Sequence, residues 1–189
     1  MRDASLSLEV AAHNRRTPLG DATPTYRFAL ATPSGIASAS LRRLERAIFL
    51  SRGEFSLILV CCDSPPLREQ ILQHLGELFA GKIHHMVIPP SAQKFYTNIQ
   101  KSLPIVPPQA LMVLGLEAVE DIEPLLSSAN LVRNQFGQCF SFPLVLWVND
   151  EIIAKLVRFA PDFKNWAAST IRFSPQEVLV LPPIEGLAT

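Results

Sequence analysis

Short apolar runs that alternate with stretches of helical spacing constrain this chain more than any other feature. Phe55-Ser56-Leu57-Ile58-Leu59-Val60 is almost continuously apolar, and Leu67, Ile71, Leu75 and Phe79 follow it at the repeat of one helix face. The pattern returns three times. Ile83 to Ile88 predicts a strand ended by Pro89-Pro90, after which Ser91 is placed to cap a helix carrying Phe95, Ile99 and Leu103. Ala110 to Leu114, entered through Pro107-Pro108, is the next strand, with a helix expected from about Pro124 to Phe136 and stopped at Gly137. Leu144 to Val148 then leads through the cap Asp150 into a helix with Ile152, Ile153, Leu156 and Val157, and a short strand, Thr170 to Phe173, closes the series. Strands that are apolar on both faces need cover on both sides. The expected fold is therefore α/β, a three-layer domain with a mostly parallel five-stranded sheet and helices on both faces.

One further helix precedes the alternation, from about Ser40 to Ser51, with Leu41, Leu44 and Ile48 on one face and Gly53 as its C-cap. Residues 1–37 are rich in Ala, Thr, Ser and Pro without sustained periodicity and read as a flexible leader. The domain is expected to span 38–173, with 174–189 as a C-terminal tail.

The turn after the first strand is where a nucleotide-binding chain would hold its phosphate loop. Here it reads Cys61-Cys62-Asp63-Ser64-Pro65-Pro66-Leu67-Arg68. Such a loop needs glycines, successive free N–H groups and a lysine. None is present: the two prolines delete donors, and the carboxylate of Asp63 competes for the electropositive spot. As a helix start, Asp63 or Ser64 followed by proline is good chemistry.

Charge and cysteine content narrow the function classes. Seventeen basic and seventeen acidic residues leave a formal net charge of zero, so no global field holds nucleic acid or an anionic membrane. Three cysteines without a Cys-x-x-Cys spacing make no disulfide framework and suit a reducing, cytoplasmic compartment. Arg15, Arg16 and Arg27 give a faint transit-peptide character that Asp3, Glu9 and Asp21 weaken. His84 and His85 are neighbours in a strand and point to opposite faces, so they do not share one metal ion. Cys61 and Cys62 meet the same objection and read as small buried hydrophobes. Trp147, Trp166 and Phe163 read as packing residues, with Pro161-Asp162-Phe163 ending the preceding helix. Arg42, Arg43 and Arg46, interrupted by Glu45, read as a solvated helix face.

The strand Phe55 to Val60 running into Asp63 and Leu67-Arg68-Glu69-Gln70, together with Phe142-Pro143-Leu144-Val145-Leu146-Trp147-Val148-Asn149 and Ala160-Pro161-Asp162-Phe163 followed by Trp166, resembles a family at the N-termini of cyanobacterial tetratricopeptide-repeat proteins. That family is similar to degenerate P-loop NTPase domains of the STAND class, relatives of NACHT and NB-ARC modules. The resemblance covers about residues 38–173 and implies P-loop NTPase-like topology. It also implies where the nucleotide machinery of an active relative would lie. The lysine and glycines would stand in 61–68, a Mg²⁺-holding aspartate would stand where this chain has Gly115, with Glu117 two residues on, and Asn149 falls at the position of a γ-phosphate sensor.

The resulting expectation is a module that is not an enzyme and holds no cofactor. It would be a regulatory or protein-interaction domain derived from a nucleotide switch, with a protein partner, no nucleic acid, no membrane, and room for self-association. The alternative is a metal- or nucleotide-binding α/β enzyme with an atypical site at the C-terminal edge of the sheet, and a third reading keeps ATP or ADP binding through Asn149 without hydrolysis. If strands 55–60, 110–114 and 144–148 lie side by side, Asp63, Glu117 and Asp150 emerge at one edge beside Asn149. With no lysine or arginine expected among them, they would be helix caps or ligands of a divalent cation.

Overall fold

The computed structural model describes residues 38–174. The expected leader, and all of the expected tail beyond its first residue, lie outside this range. Five strands form the sheet: β1 (Ser56–Cys62), β2 (Ile83–Val87), β3 (Ala110–Leu114), β4 (Pro143–Val148) and β5 (Thr170–Phe173). Their order is β2-β3-β4-β1-β5, and every ladder is parallel. β4 thus lies between β1 and β3, so these three strands are side by side, the arrangement on which the expected meeting of Asp63, Glu117 and Asp150 depends.

Two cores flank this sheet, one on each face, because alternate residues of each strand point in opposite directions. On one face Ile58, Val60, Met112, Val145, Trp147 and Ile171 pack beneath α1 (Ala39–Leu50) and α2 (Pro65–Leu78). On the other, Leu57, Leu59, Leu111, Val113, Leu144 and Leu146 pack beneath α3 (Phe95–Ser102), α4 (Ile122–Leu131), α5 (Arg133–Cys139), α6 (Asp150–Phe159) and α7 (Pro161–Lys164). The three-layer α/β fold follows directly from the doubly apolar strands. Phe163 is fully buried among Phe95 and Phe136, with ring centroids 6.1 and 4.8 Å away.

Helix boundaries depart from the expectation in informative ways. Ser38 caps α1, its side chain accepting from Leu41 N–H, and the helix ends at Ser51; Gly53 (φ 81°) belongs to the turn beyond. Ser91 caps nothing: it sits exposed in a turn, and α3 begins four residues later. The Phe95 N–H at the first turn of α3 donates to Oγ of Ser128 on α4 at 3.0 Å, a cap supplied from another helix. The helix expected at 124–136 is two helices separated at Val132, and Gly137 lies inside the second, with Trp166 packed over it. Pro161 both ends α6 and opens α7 as its first residue. Of the apolar residues of α6, Ile152 and Leu156 are buried, Ile153 is partly buried and Val157 is exposed.

Candidate functional site

The carboxyl ends of β1, β3, β4 and β5 converge at the place where open α/β sheets present ligand sites. Register fixes which side chains meet there. Cys61 of β1 is aligned with Val148 of β4 on one side and Arg172 of β5 on the other. In-register residues of parallel strands share a face, so the Arg172 side chain rises beside Cys61. Its Nη1 donates to Sγ of Cys61 at 3.4 Å and to Oδ1 of Asp150, the first residue of α6, at 2.6 Å.

Sulfur and carboxylate oxygens of Cys61, Asp63 and Asp150 all lie within 4.8 Å of one another. Glu117 is not with them. It stands on a short 3-10 turn, Leu116–Ala118, and takes a 2.8 Å ion pair from Nη1 of Arg68 on α2. The expectation that the edge carboxylates have no basic residue among them is therefore corrected: arginines from β5 and α2 reach two of the three. Sequence reasoning missed both. Arg172 lies 22 residues beyond Asp150 and Arg68 lies 49 before Glu117, so the strand order alone decides these encounters.

The helix caps were expected at Asp63 or Ser64 and at Asp150. The structure places them at Ser64 and Asn149. Ser64 Oγ accepts from Leu67 N–H at 3.4 Å, and Asn149 Oδ1 accepts from Ile152 N–H at 2.8 Å. An uncharged oxygen next to the aspartate does the capping in each case, Ser64 one residue after Asp63 and Asn149 one residue before Asp150, and Asp150 turns to Arg172.

At the start of α2 the backbone donors of residues 65–68 can be accounted for one by one. Pro65 and Pro66 have no N–H, Leu67 N–H is bound by the Ser64 side chain, and Arg68 N–H donates to the Ser64 carbonyl at 2.9 Å. The first turn of this helix presents no free N–H to an anion.

Gly115 occupies the position that the resemblance assigns to a metal-binding aspartate. Its φ is 82°, in the left-handed region, and a Cβ there would lie 2.7 Å from Cγ1 of Val87 and 3.3 Å from the Ile88 carbonyl oxygen. The site as folded excludes a side chain.

Electrostatically the Cys61 thiol is held above its ordinary value of 9.0, chiefly by burial; Arg172 pulls it back down, while Asp150 and Asp63 push it up. The guanidinium of Arg172 is stabilised further in its charged form, first by its hydrogen bond to Asp150. Cys61, Cys62 and Cys139 form no disulfide, the first two being buried and the third exposed. His84 is half-buried and His85 exposed, on the edge strand β2. Among the described residues no helix is long and apolar enough to cross a membrane.

No family model, no curated protein and no solved structure matches this chain.

Proposed function

We propose that this domain is a non-catalytic regulatory or protein-interaction module derived from a nucleotide-switch fold of the STAND type, acting in a reducing, cytoplasmic compartment on a protein partner. The observation that carries the reading is the closed start of α2. Where phosphate oxygens would need convergent N–H groups and a lysine, two prolines stand in place of donors, and the other two N–H groups are bound by Ser64. The neighbourhood supports it. Gly115 has no room for a carboxylate, and Glu117 and Asp150 face arginines. Phosphoryl transfer rests on positioning and charge neutralisation, so a chain without these parts has little with which to perform it. The test is calorimetric titration with ATP and Mg²⁺. No heat of binding is expected at millimolar nucleotide, and a Kd below about 100 µM would overturn the reading.

A second reading, divalent-cation binding at the edge, is favoured by the convergence of Cys61, Asp63 and Asp150. Against it, Arg172 already lies 2.6 Å from Asp150 and 3.4 Å from Cys61, supplying positive charge where a metal ion would sit. Thermal stabilisation by Mn²⁺ or Ca²⁺ that vanishes in both Asp63→Asn and Asp150→Asn would establish this reading in place of the first.

A further inference from the structure

The two edges of the sheet are finished differently. β5 carries Arg172 at mid-strand, and Ser40 of α1 donates to the Arg172 carbonyl at 2.7 Å, so that edge is charged and partly bonded. β2 has no such protection. It reads Ile83-His84-His85-Met86-Val87, with no Lys, Arg, Asp, Glu, Pro or Gly; His85 is exposed and Val87 is 69% exposed. At its end Ile88 N–H donates to the Leu114 carbonyl at 2.9 Å. The two-residue repeat of a parallel ladder then aims the backbone groups of His84 and Met86 at β3, and turns the N–H and C=O of Ile83, His85 and Val87 outward. Among the described residues no strand pairs with this edge.

We infer that the β2 edge docks a second copy of this chain, strand against strand, about a two-fold axis that runs perpendicular to the sheet through His85. The geometry singles out this register. Antiparallel pairing centred on His85 sets His85 against its own copy, Ile83 against Val87 of the second copy, and Val87 against Ile83. Each opposed pair exchanges two hydrogen bonds, so every outward group on both strands is used. Centring on His84 or Met86 instead leaves the groups at one end of each strand unpaired. The side chains agree with the register. A two-fold axis perpendicular to the sheet keeps each face on its own side, so Ile and Val meet on one face and His84 meets Met86 on the other. No charged side chain of β2 opposes another across the axis. Desolvation, and His84 beside it, lower the His85 imidazole from its ordinary value, with Glu69 acting in the opposite sense.

An apolar run of this chain's own sequence, Val178-Leu179-Val180-Leu181, is a poor occupant. It follows Phe173, on the far edge, after only four residues. Those span about 14 Å, whereas five interstrand spacings are about 24 Å. A second copy has no such limit of reach. This edge is separate from the carboxyl-end site, so the inference stands or falls independently of the nucleotide reading.

Light scattering on the full chain, with Cys139→Ser to remove the exposed thiol, tests it. At about 100 µM, enough to populate a dimer of micromolar Kd, the mass should approach twice 20.9 kDa. His85→Cys in that background should form a cross-linked dimer under mild oxidation, because a hydrogen-bonded antiparallel pair holds its Cα atoms about 5.5 Å apart, within disulfide range. Val87→Cys should not, since each copy of residue 87 lies four residues, or about 13 Å, from the other. His85→Pro, which removes an outward N–H, and Val87→Lys should each return the mass to one chain without unfolding it. A monomeric parent protein overturns the inference. So does a dimer whose mass neither substitution changes, or one that cross-links equally well through 85 and 87.

Discussion

A Cβ placed on Gly115 would lie 2.7 Å from Cγ1 of Val87, closer than folded proteins tolerate, and the backbone there is left-handed at φ 82°. The turn from β3 into Leu116–Ala118 therefore depends on glycine twice over, for its conformation and for the approach of β2. Gly115→Ala is expected to destabilise the domain by about 2 kcal/mol, from the left-handed penalty with some contribution from displaced Val87. Gly115→Asp, which would put a carboxylate where the resemblance places a metal ligand, should cost at least as much and still recruit no nucleotide. Urea unfolding midpoints at constant slope measure the first effect. A loss below about 0.5 kcal/mol would show that the turn relaxes.

Ser128 and Ser91 make a paired test of where α3 obtains its cap. Oγ of Ser128 accepts from Phe95 N–H and donates to the Leu125 carbonyl at 2.7 Å, joining two helices through one hydroxyl. Ser128→Ala should cost about 1 kcal/mol, the usual worth of a cap, whereas Ser91→Ala at its exposed turn should change stability by a few tenths at most. Equal losses in the two variants would contradict this assignment.

The strands were legible because burial on both faces leaves an unbroken apolar run, and Ala110–Leu114 needed no adjustment at either end. Termini of helices were less legible, because capping is decided between neighbours. Asn149 and Asp150 are both good caps, and the choice depends on Arg172, a residue of another strand. The cap of α3 lay beyond sequence reasoning altogether, since Ser128 is 33 residues from Phe95 and reaches it only through the packing of α4 on α3. The candidate site divides the same way. Missing lysine and glycines are readable as letters. The arginines that neutralise Asp150 and Glu117 become visible only when β5 is placed beside β1, and when the start of α2 is brought near the end of β3.

The pair between Arg68 and Glu117 joins α2 to the turn after β3, with about a quarter and a third of the two side chains exposed. Solvent screening limits such a pair to about 1 kcal/mol or less. A double-mutant cycle on Arg68→Ala and Glu117→Ala should give a coupling in that range that shrinks in high salt. A coupling above about 2 kcal/mol would mean that the pair is better shielded from water than its exposure implies.

Cys61 and Arg172 give the prediction with a definite sign in pH. Burial raises the thiol above its ordinary 9.0, and of the neighbours only Arg172 pulls the other way. Removing the guanidinium while keeping a polar side chain, in Arg172→Gln, takes away that opposing influence and leaves Asp150 and Asp63 to push further up. The pH midpoint for alkylation of Cys61 should therefore move to higher pH, followed by mass spectrometry of the Cys61 peptide so that Cys62 and Cys139 do not interfere. Stability carries the same sign. A group whose pKa is higher folded than unfolded holds its proton more tightly in the folded state, so its contribution is complete below the unfolded thiol pKa and fades as pH rises through and beyond it. Cys61→Ala should flatten the alkaline decline in stability and leave the neutral plateau changed only by the lost packing. An alkylation midpoint that falls in Arg172→Gln would overturn the assignment of Arg172 as the charge that favours the thiolate, whereas loss of shielding alone would speed alkylation at every pH and leave the midpoint in place.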